Sequence, residues 1–234
     1  MTLNTEFDKY SHTYKETLKN SLKRFQKDEQ FFDRVKINHL QDYVIKDKKP
    51  YDILDFGCGI GKLTCILASE NQESRVVGYD ISKQSILLAE KENTGYQNIS
   101  FCHEIPQDAR YNFIIAANVF HHIKPRQHIH TLNVLKNKLK PNGELIVFEH
   151  NPFNPLTRYI VNNCPLDVDA ELISFNRFIK LADQCQFGVK LKKYILFFPW
   201  QSNILQRAEW YMRRIPLGAQ YMISFVNKQQ KVLK

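Results

Sequence analysis

Short apolar runs alternate with helical patterns through the middle of the chain. Residues 51–56 are apolar and bounded by proline and glycine, as expected of a strand buried in a parallel sheet. Residues 62–70 have apolar side chains at helical spacing, residues 75–79 form a second apolar run, and residues 81–91 predict another helix. This alternation predicts right-handed parallel crossovers and an open, doubly wound α/β sheet that binds ligands at its carboxyl edge.

The pattern changes after residue 148. Two closely spaced X-Pro units predict an extended, stiff loop over residues 149–158. Beyond this loop, the pattern predicts a short helix at 159–163, a longer amphipathic helix at 172–187, a strand at 189–198, a basic aromatic helix at 200–214 and a last strand at 220–226. At the other end, residues 5–45 mix apolar and charged positions and predict two or more amphipathic helices.

Three glycines at alternate positions follow the first predicted strand. Gly57, Gly59 and Gly61 lack the Cβ atoms that would hold a ligand away from the main chain, and they permit the positive φ values of a tight strand-to-helix turn. Asp80 ends the second strand, where a carboxylate can accept hydrogen bonds from both hydroxyls of a ribose. Together these features predict a nucleoside-cofactor pocket. Asp80 can in addition serve as the N-cap of the helix at 81–91.

The glycine spacing separates two cofactor classes. A dinucleotide fingerprint, Gly-x-Gly-x-x-Gly, would have its third glycine at position 62, where this chain has Lys62. The run Asp-Phe-Gly-Cys-Gly-Ile-Gly at 55–61 instead resembles the first motif of the class I S-adenosylmethionine-dependent methyltransferases. Residues 112–123 resemble the fourth strand and following turn of that family, and residues 139–148 resemble its turn and fifth strand, with Pro141 and Gly143 fixing the turn.

The resemblance implies a doubly wound, mostly parallel seven-stranded sheet with an antiparallel closing strand and an N-terminal helical cap. The cap would span residues 1–48, and a Rossmann-like methyltransferase domain would span 49–234, with inserts at about 150–172 and 199–218. S-adenosylmethionine would be the cofactor. The implied cofactor-binding residues are Asp55, Gly57, Cys58, Gly59, Gly61, Asp80, Ile81, Glu104, Ala117 and Asn118. Asp55 has an alternative role, in which it caps the neighbouring turn.

Histidines supply the candidate catalytic groups. His150 and His122 follow predicted strand ends at the carboxyl edge and are the candidate proton acceptors, although histidines in such turns often bond a loop carbonyl instead. The predicted substrate-lining residues are Tyr10, Tyr14, His121 and Asn151, and the two tyrosines can equally pack on the core. Five histidines lie between positions 121 and 150, but no acid or cysteine stands at a recognised ligand spacing from them, so no metal is expected.

The composition of the chain bears on its location in the cell and on its binding partners. The five cysteines form no Cys-x-x-Cys pair, which predicts neither a disulfide framework nor a zinc site. No apolar run approaches the roughly 20 residues of a membrane span, and the N-terminus lacks a signal-peptide pattern, so a cytoplasmic location is expected. The net charge of +9 is concentrated after Cys185, where nine lysines and arginines face one acid, Glu209. This surface is either a solvated face or a contact for an anionic partner.

We therefore predict methyl transfer from S-adenosylmethionine to an unidentified small-molecule acceptor by in-line displacement. One alternative is a non-catalytic cofactor-binding protein whose basic C-terminal face meets an RNA, a protein or a membrane, with peripheral membrane contact as one form. A nucleotide-dependent oxidoreductase is disfavoured by the misplaced third glycine. Nucleic-acid base methylation is also disfavoured, because the Asn-Pro-Phe run at 151–153 follows the fifth predicted strand and not the fourth.

Overall fold

One mixed sheet forms the centre of the protein. The computed structural model describes residues 31–43, 49–198 and 203–228, and within them the strands are β1 (Asp52–Phe56), β2 (Arg75–Tyr79), β3 (Ile99–Cys102), β4 (Tyr111–Ala117), β5 (Leu139–His150), β6 (Phe187–Ile195) and β7 (Gln220–Asn227). Their order in the sheet is β3-β2-β1-β4-β5-β7-β6. Among these strands, β7 alone runs in the opposite direction to the others, because it pairs antiparallel with both β5 and β6. The predicted seven-stranded, doubly wound sheet with an antiparallel closing strand is confirmed.

Helices cover both faces of this sheet. In the described part of the chain they are α1 (Phe31–Tyr43), α2 (Lys62–Glu70), α3 (Lys83–Glu92), α4 (His128–Asn137), α5 (Pro155–Asn162), α6 (Phe175–Gln184) and α7 (Asn203–Met212), with 3-10 turns at Phe120–His122, Pro125–Gln127 and Pro165–Asp167. Leu40 of α1 and Leu63 of α2 join one buried cluster, whereas Leu132 of α4 and Phe178 of α6 join the other. No helix in the described ranges has the length and apolarity that a bilayer span requires.

The first crossover matches the sequence prediction closely. The helix at Lys62–Glu70 and the strand at Arg75–Tyr79 have the predicted bounds. Helix α3 begins at Lys83, two residues later than predicted, because Ser82 is its N-cap and accepts a hydrogen bond from the Ser85 N–H at 3.1 Å. The alternative that Asp80 is the N-cap is therefore wrong.

The predicted stiff loop over 149–158 is wrong in its second half. Helix α5 begins at Pro155, whereas the prediction began a helix at residue 159. Asn154 is the N-cap and accepts a hydrogen bond from the Thr157 N–H at 2.9 Å. Proline suits the first helical position because its missing N–H would have no partner within the helix. Thus Pro155 starts the helix and does not prevent it.

The predicted turn before the fifth strand is a bulge within β5. Tyr111 pairs with Leu139 and Phe113 pairs with Glu144, so residues 140–143 lie opposite a single residue of β4. Asn142 has a φ of 62° inside this bulge. A Cβ at Gly143 would lie 2.9 Å from the Tyr111 carbonyl oxygen, so the bulge requires glycine there.

The predicted helix at 172–187 and the predicted N-terminal cap agree only in part with the structure. Helix α6 (Phe175–Gln184) is shorter than the predicted 172–187, because β6 already begins at Phe187. Helix α1 belongs to the predicted cap and buries Phe31, Val35, Ile37 and Leu40 against the sheet. Tyr10 and Tyr14 lie outside the described residues. The division into a cap and a domain with two inserts stays a prediction.

Candidate active site at the carboxyl edge of the sheet

The glycine turn after β1 has one side open. Gly57, Gly59 and Gly61 all have positive φ, at 80°, 53° and 80°. An added Cβ at Gly57 would lie 2.4 Å from a Val119 methyl, and one at Gly61 would lie 2.7 Å from the Phe101 ring. At Gly59 an added Cβ would meet nothing within 4 Å. Two glycines therefore permit packing, whereas Gly59 leaves main chain facing open space.

Asp80 fixes the position of this turn. One carboxylate oxygen, Oδ2, accepts from the Gly59 N–H at 2.8 Å, and Oδ1 accepts from the Ser82 N–H at 2.8 Å. The next side chain, Ile81, is 61% exposed, which leaves an apolar surface beside the acid. The predicted Glu104 is exposed in the loop after β3.

Cys58 turns its side chain away from the open side of the turn. A Cβ on Gly78 of β2 would lie 3.0 Å from the Cys58 sulfur, so the thiol packs against that strand. Burial raises the pKa of this thiol well above its usual value. The thiol is therefore un-ionised near neutral pH, and the role of Cys58 in cofactor binding stays a prediction.

Asp55 is a buried acid beneath the turn. Its Oδ2 accepts a hydrogen bond from the Thr64 hydroxyl at 2.7 Å, which ties the end of β1 to the first turn of α2. Burial raises its pKa to about 7, the Thr64 hydrogen bond opposes this rise, and the charges of Asp33 and Asp80 add to it. Asp55 is thus poised to gain or lose a proton near neutral pH.

Sequence reasoning missed a lysine of α1. Lys36 is only 3% exposed, and its ammonium group lies 3.3 Å from Asp33 in an ion pair. Its charge lowers the pKa of both Asp55 and His150, so it acts on the ends of β1 and β5 together. Nothing in its local sequence separates Lys36 from the exposed lysines of the same region.

A compact histidine cluster follows β4 and β5. His121 Nδ1 lies 2.6 Å from Glu149 Oε2, and both side chains are buried. Glu149 Oε1 also accepts from the N–H groups of Val119 and Phe120, at 2.9 and 2.6 Å. Sequence reasoning missed Glu149, although an acid within an apolar strand run is a signal that was present.

Asp167 completes this cluster from a different part of the chain. Its Oδ1 lies 3.4 Å from His122 Nε2 and 3.7 Å from His121 Nε2. No sequence spacing indicates this contact, because Asp167 lies in a 3-10 turn that the fold brings to the site. The ring centroids of His121 and His150 are 5.1 Å apart, so the predicted histidines do meet.

The three rings differ in charge. Burial alone would lower the pKa of His121, but Glu149 and Asp167 raise it to about 9. Burial, together with the charge of His121, lowers the pKa of both His122 and His150 to about 4. Near neutral pH, His121 is therefore protonated, whereas His122 and His150 are neutral.

Asn118 and Gln220 form a polar corner between β4 and β7. Asn118 has a φ of 58°, follows Ala117 directly, and donates its N–H to the Phe148 carbonyl at 2.8 Å. The Gln220 amide nitrogen donates to Asn118 Oδ1 at 3.3 Å. Among the described residues, Gln220 Oε1 is a buried acceptor without a hydrogen-bond partner. Sequence reasoning missed Gln220, whose pairing with His150 follows only from the strand register.

Asn151, predicted to line the substrate site, has a structural role instead. It is fully buried, and its Nδ2 donates to the carbonyls of Pro216 and Gly218 at 3.1 and 2.8 Å. Its Oδ1 accepts from the Phe153 N–H at 3.1 Å. The side chain therefore joins the loop after β5 to the loop before β7.

We expect Asp55→Asn to change how stability depends on pH. The folded pKa of Asp55 is raised above its unfolded value of 3.8, so its contribution is present below pH 3.8 and is lost as pH rises through about 7. The variant keeps an acceptor for Thr64 without this loss. Between pH 5 and 8, its free energy of unfolding should therefore gain on wild type by roughly 2.5 kcal/mol in urea titrations of cofactor-free protein.

Asp52→Asn is the matched control for this prediction. Burial opposes ionisation of Asp52, but Lys140 and Arg75 prevail and lower its pKa, so the stability it contributes is lost at low pH. This variant should fall below wild type at pH 5 to 8. Parallel pH curves for wild type and Asp55→Asn would contradict the assignment of a raised pKa.

Comparison with known proteins decides the family. A family model described as a methyltransferase domain matches residues 47–207, which is more than half of the 234 residues. The chain belongs to the S-adenosylmethionine-dependent methyltransferases. This methyltransferase is 34% identical over 120 residues to a malonyl-[acyl-carrier protein] O-methyltransferase of Halalkalibacterium halodurans, a match covering 47% of this chain and 42% of that enzyme. It is 29% identical over 98 residues to an uncharacterized methyltransferase of Staphylococcus carnosus, covering 42% and 46%. The chain matches less than half the length of either relative.

Solved structures agree with the fold of this methyltransferase. A TehB-like SAM-dependent methyltransferase from Corynebacterium glutamicum superposes with a TM-score of 0.61 at 16% identity, covering 94% of this chain and 99% of that one. Magnesium protoporphyrin IX methyltransferase from Synechocystis PCC 6803, with bound SAH, superposes with a TM-score of 0.66 at 13% identity, covering 94% and 97%. Because the chain belongs to this family, its cofactor is S-adenosylmethionine, as predicted.

Proposed function

We propose that this methyltransferase methylates a small-molecule acceptor bound at the carboxyl edge of the sheet, beside His150. The observation that carries the proposal is the open main chain at Gly59 next to the Asp80 carboxylate. A cofactor nucleoside can lie against this cradle, which a side chain would fill. The same edge holds the neutral His150, so donor and acceptor can meet there.

The residues present fit S-adenosylmethionine. Asp80 would hold the ribose, and Ile81 and Glu104 would contact the adenine. The amino-acid end carries an ammonium group, which suits the unpartnered Gln220 oxygen and the Asp55 carboxylate, and Ala117 and Asn118 border the same corner. Lys36 would supply a cation for the carboxylate of the cofactor. When bound, this cofactor supplies a methyl group already activated by its sulfonium.

A neighbouring cavity has the size of a small-molecule site. It encloses about 310 Å³ between α1, the end of β6 and α7. Ile195 in its lining pairs with Gln220 in the sheet, so the cavity begins beside the polar corner. Its walls combine Phe198 and Trp210 with charges of both signs: Arg213 and Lys193, whose pKa burial lowers to about 7, and the acids Asp42 and Glu209. Arg213 supports an acceptor with an apolar body and an anionic group.

His150 is the proposed proton acceptor. Burial and the neighbouring charge of His121 lower its pKa to about 4, so its ring is neutral near neutral pH and can take the acceptor proton as a weak base. Lys36 adds to this effect from α1. His122 is also neutral, but Asp167 already lies 3.4 Å from its Nε2. The Asp167 contact at His122 therefore makes His150 the better candidate for the proton acceptor.

A carboxylate acceptor is the second candidate. The Halalkalibacterium relative is named for O-methylation of malonyl-[acyl-carrier protein]. Arg213 in the cavity wall would suit such an anionic acyl group. A carboxylate is already deprotonated at neutral pH, so its methylation needs no general base. The two candidates therefore differ in their dependence on His150.

Measuring S-adenosylhomocysteine release over an acceptor panel tests the proposal. The panel contains phenols, sugars and acyl carboxylates, each with and without an anionic group. We expect turnover with at least one small molecule, and we expect His150→Gln to lower kcat at least about 100-fold for a hydroxyl acceptor with unchanged cofactor affinity. An unchanged kcat with a carboxylate favours the second candidate. Turnover on RNA or protein alone would contradict a small-molecule acceptor.

A further inference from the structure

Three ligand atoms converge at the edge of the active site. Among the described residues, His121, His122 and Asp167 form one group whose nitrogen and carboxylate ligand atoms all lie within 4.8 Å of one another. Asp167 Oδ1 is 3.4 Å from His122 Nε2 and 3.7 Å from His121 Nε2. Bonds of about 2.1 Å in a tetrahedral arrangement put ligand atoms about 3.4 Å apart. The two Asp167 distances are within a few tenths of an ångström of this spacing, whereas the two histidine nitrogens, which lie within 4.8 Å of each other, would have to approach by up to about 1.4 Å to hold an ion.

Glu149 orients the first of these ligands. Its Oε2 lies 2.6 Å from His121 Nδ1, which fixes an N–H on that nitrogen and leaves Nε2 on the side of Asp167, where loss of the Nε2 proton to a binding ion would free a lone pair. Metal-ligating histidines commonly donate their other N–H to a carboxylate in this way. Glu149 is itself held by the N–H groups of Val119 and Phe120. The supporting contacts of a metal site are thus already made.

The backbone holds the two arms of the cluster together. The Glu171 N–H donates to the His121 carbonyl at 2.8 Å, and the Asp167 N–H donates to the Cys164 carbonyl at 3.0 Å. Asp167 and His122 keep 14% and 20% of their side-chain surface exposed. One side of the cluster therefore opens to small molecules, and three protein ligands leave coordination positions for further oxygens.

From this geometry we infer that His121, His122 and Asp167 bind a divalent first-row transition metal ion beside the acceptor. Two imidazoles and one carboxylate suit Zn²⁺, Mn²⁺ or Fe²⁺ better than Ca²⁺ or Mg²⁺. The sequence predicts no metal, because Asp167 is too distant along the chain to show the spacing. The role of the ion rests on the proposed function: it would bind an acceptor hydroxyl or carboxylate oxygen and lower the pKa of a hydroxyl.

Titration of the full chain with metal tests this inference. Protein without an affinity tag, treated with chelator and dialysed, is titrated with Zn²⁺ and Mn²⁺ by calorimetry. We expect one ion per chain, with Asp167→Asn and His122→Ala each weakening it at least 10-fold. His130→Ala is the matched control, because His130 is exposed and outside the cluster, and it should bind like wild type. Absence of binding, or equal affinity in Asp167→Asn, would overturn the site.

Two further measurements keep the test decisive. Co²⁺ added to wild-type protein should give visible d–d absorption bands that Zn²⁺ displaces, which reports coordination even where a variant fails to fold. S-adenosylhomocysteine is titrated into the same samples and should bind the three variants with wild-type affinity. If wild-type protein bound metal but not S-adenosylhomocysteine, the proposed function would be rejected and the metal site would be retained. Absence of Co²⁺ bands would reject the metal site alone.

Discussion

Replacing Gly57 by alanine is expected to lower the free energy of unfolding by about 2 to 5 kcal/mol. The new Cβ would lie 2.4 and 2.9 Å from the two Val119 methyl groups, and overpacking of a buried site costs about 1–3 kcal/mol. The φ of 80° adds about 1–2 kcal/mol, because residues with a Cβ are disfavoured there. Urea unfolding at pH 7 measures the sum.

Matched variants separate the two causes. Gly57→Ala combined with Val119→Ala relieves the contact but not the backbone strain, so it should recover part of the loss caused by the clash. Gly59→Ala has a positive φ of 53° but open space, and should lose only about 1–2 kcal/mol. Gly95→Ala has neither feature and should change little. Equal stability of Gly57→Ala and Gly59→Ala would contradict the described turn.

The Asp80→Ala variant is expected to weaken S-adenosylhomocysteine binding at least about 100-fold. Hydrogen bonds to a charged group are worth about 1.5–3 kcal/mol each, and the proposed ribose contact uses two of them. Removing the carboxylate also releases the Gly59 and Ser82 N–H groups that it holds at 2.8 Å. Calorimetric titration measures the change in affinity, and circular dichroism confirms that the variant is folded.

Asp108→Ala is the control for that prediction. Asp108 is an exposed acid in the loop after β3, so its removal changes the net charge by the same amount without touching the turn. Its affinity for S-adenosylhomocysteine should match wild type. Asp80→Asn retains one acceptor oxygen and should fall between the two. A folded Asp80→Ala variant with wild-type affinity would remove Asp80 from the cofactor site.

Local signals predicted the cofactor side of the molecule well. The apolar run at Asp52–Phe56, the alternate glycines and the strand at Arg75–Tyr79 lie within about 30 residues, and each feature depends on its own residues. The positive φ at Gly57, Gly59 and Gly61 follows from the same chemistry. Short-range patterns therefore sufficed to place the turn and Asp80 together.

Long-range contacts account for what the sequence did not predict. Glu149 meets His121 across neighbouring strands, Asp167 arrives from a 3-10 turn, and Gln220 reaches the site through antiparallel pairing with β5. None of these contacts is marked by a recognisable motif spacing in the sequence. Asn151 shows the converse, because its position after β5 suggested a substrate contact, whereas the fold uses its amide to join two loops.

Position within an element explains the errors in the local predictions. The closely spaced prolines predict a loop without a helix, but Pro155 lies at the first helical position, directly after the N-cap Asn154. Ser82, and not Asp80, is the N-cap of α3, because the Asp80 carboxylate binds the N–H groups of Gly59 and Ser82. The competing interaction in each case involves a neighbour that residue type alone does not specify.

A crystal structure of the protein with S-adenosylhomocysteine tests the central claim most directly. We expect the ligand to lie against the main chain at Gly59, with both ribose hydroxyls within 3.2 Å of the Asp80 carboxylate, a normal hydrogen-bond distance. The sulfur should face the side of the edge where His150 lies. A ligand bound elsewhere, or ribose hydroxyls held by other residues while Asp80 keeps its bonds to the Gly59 and Ser82 N–H groups, would contradict the account.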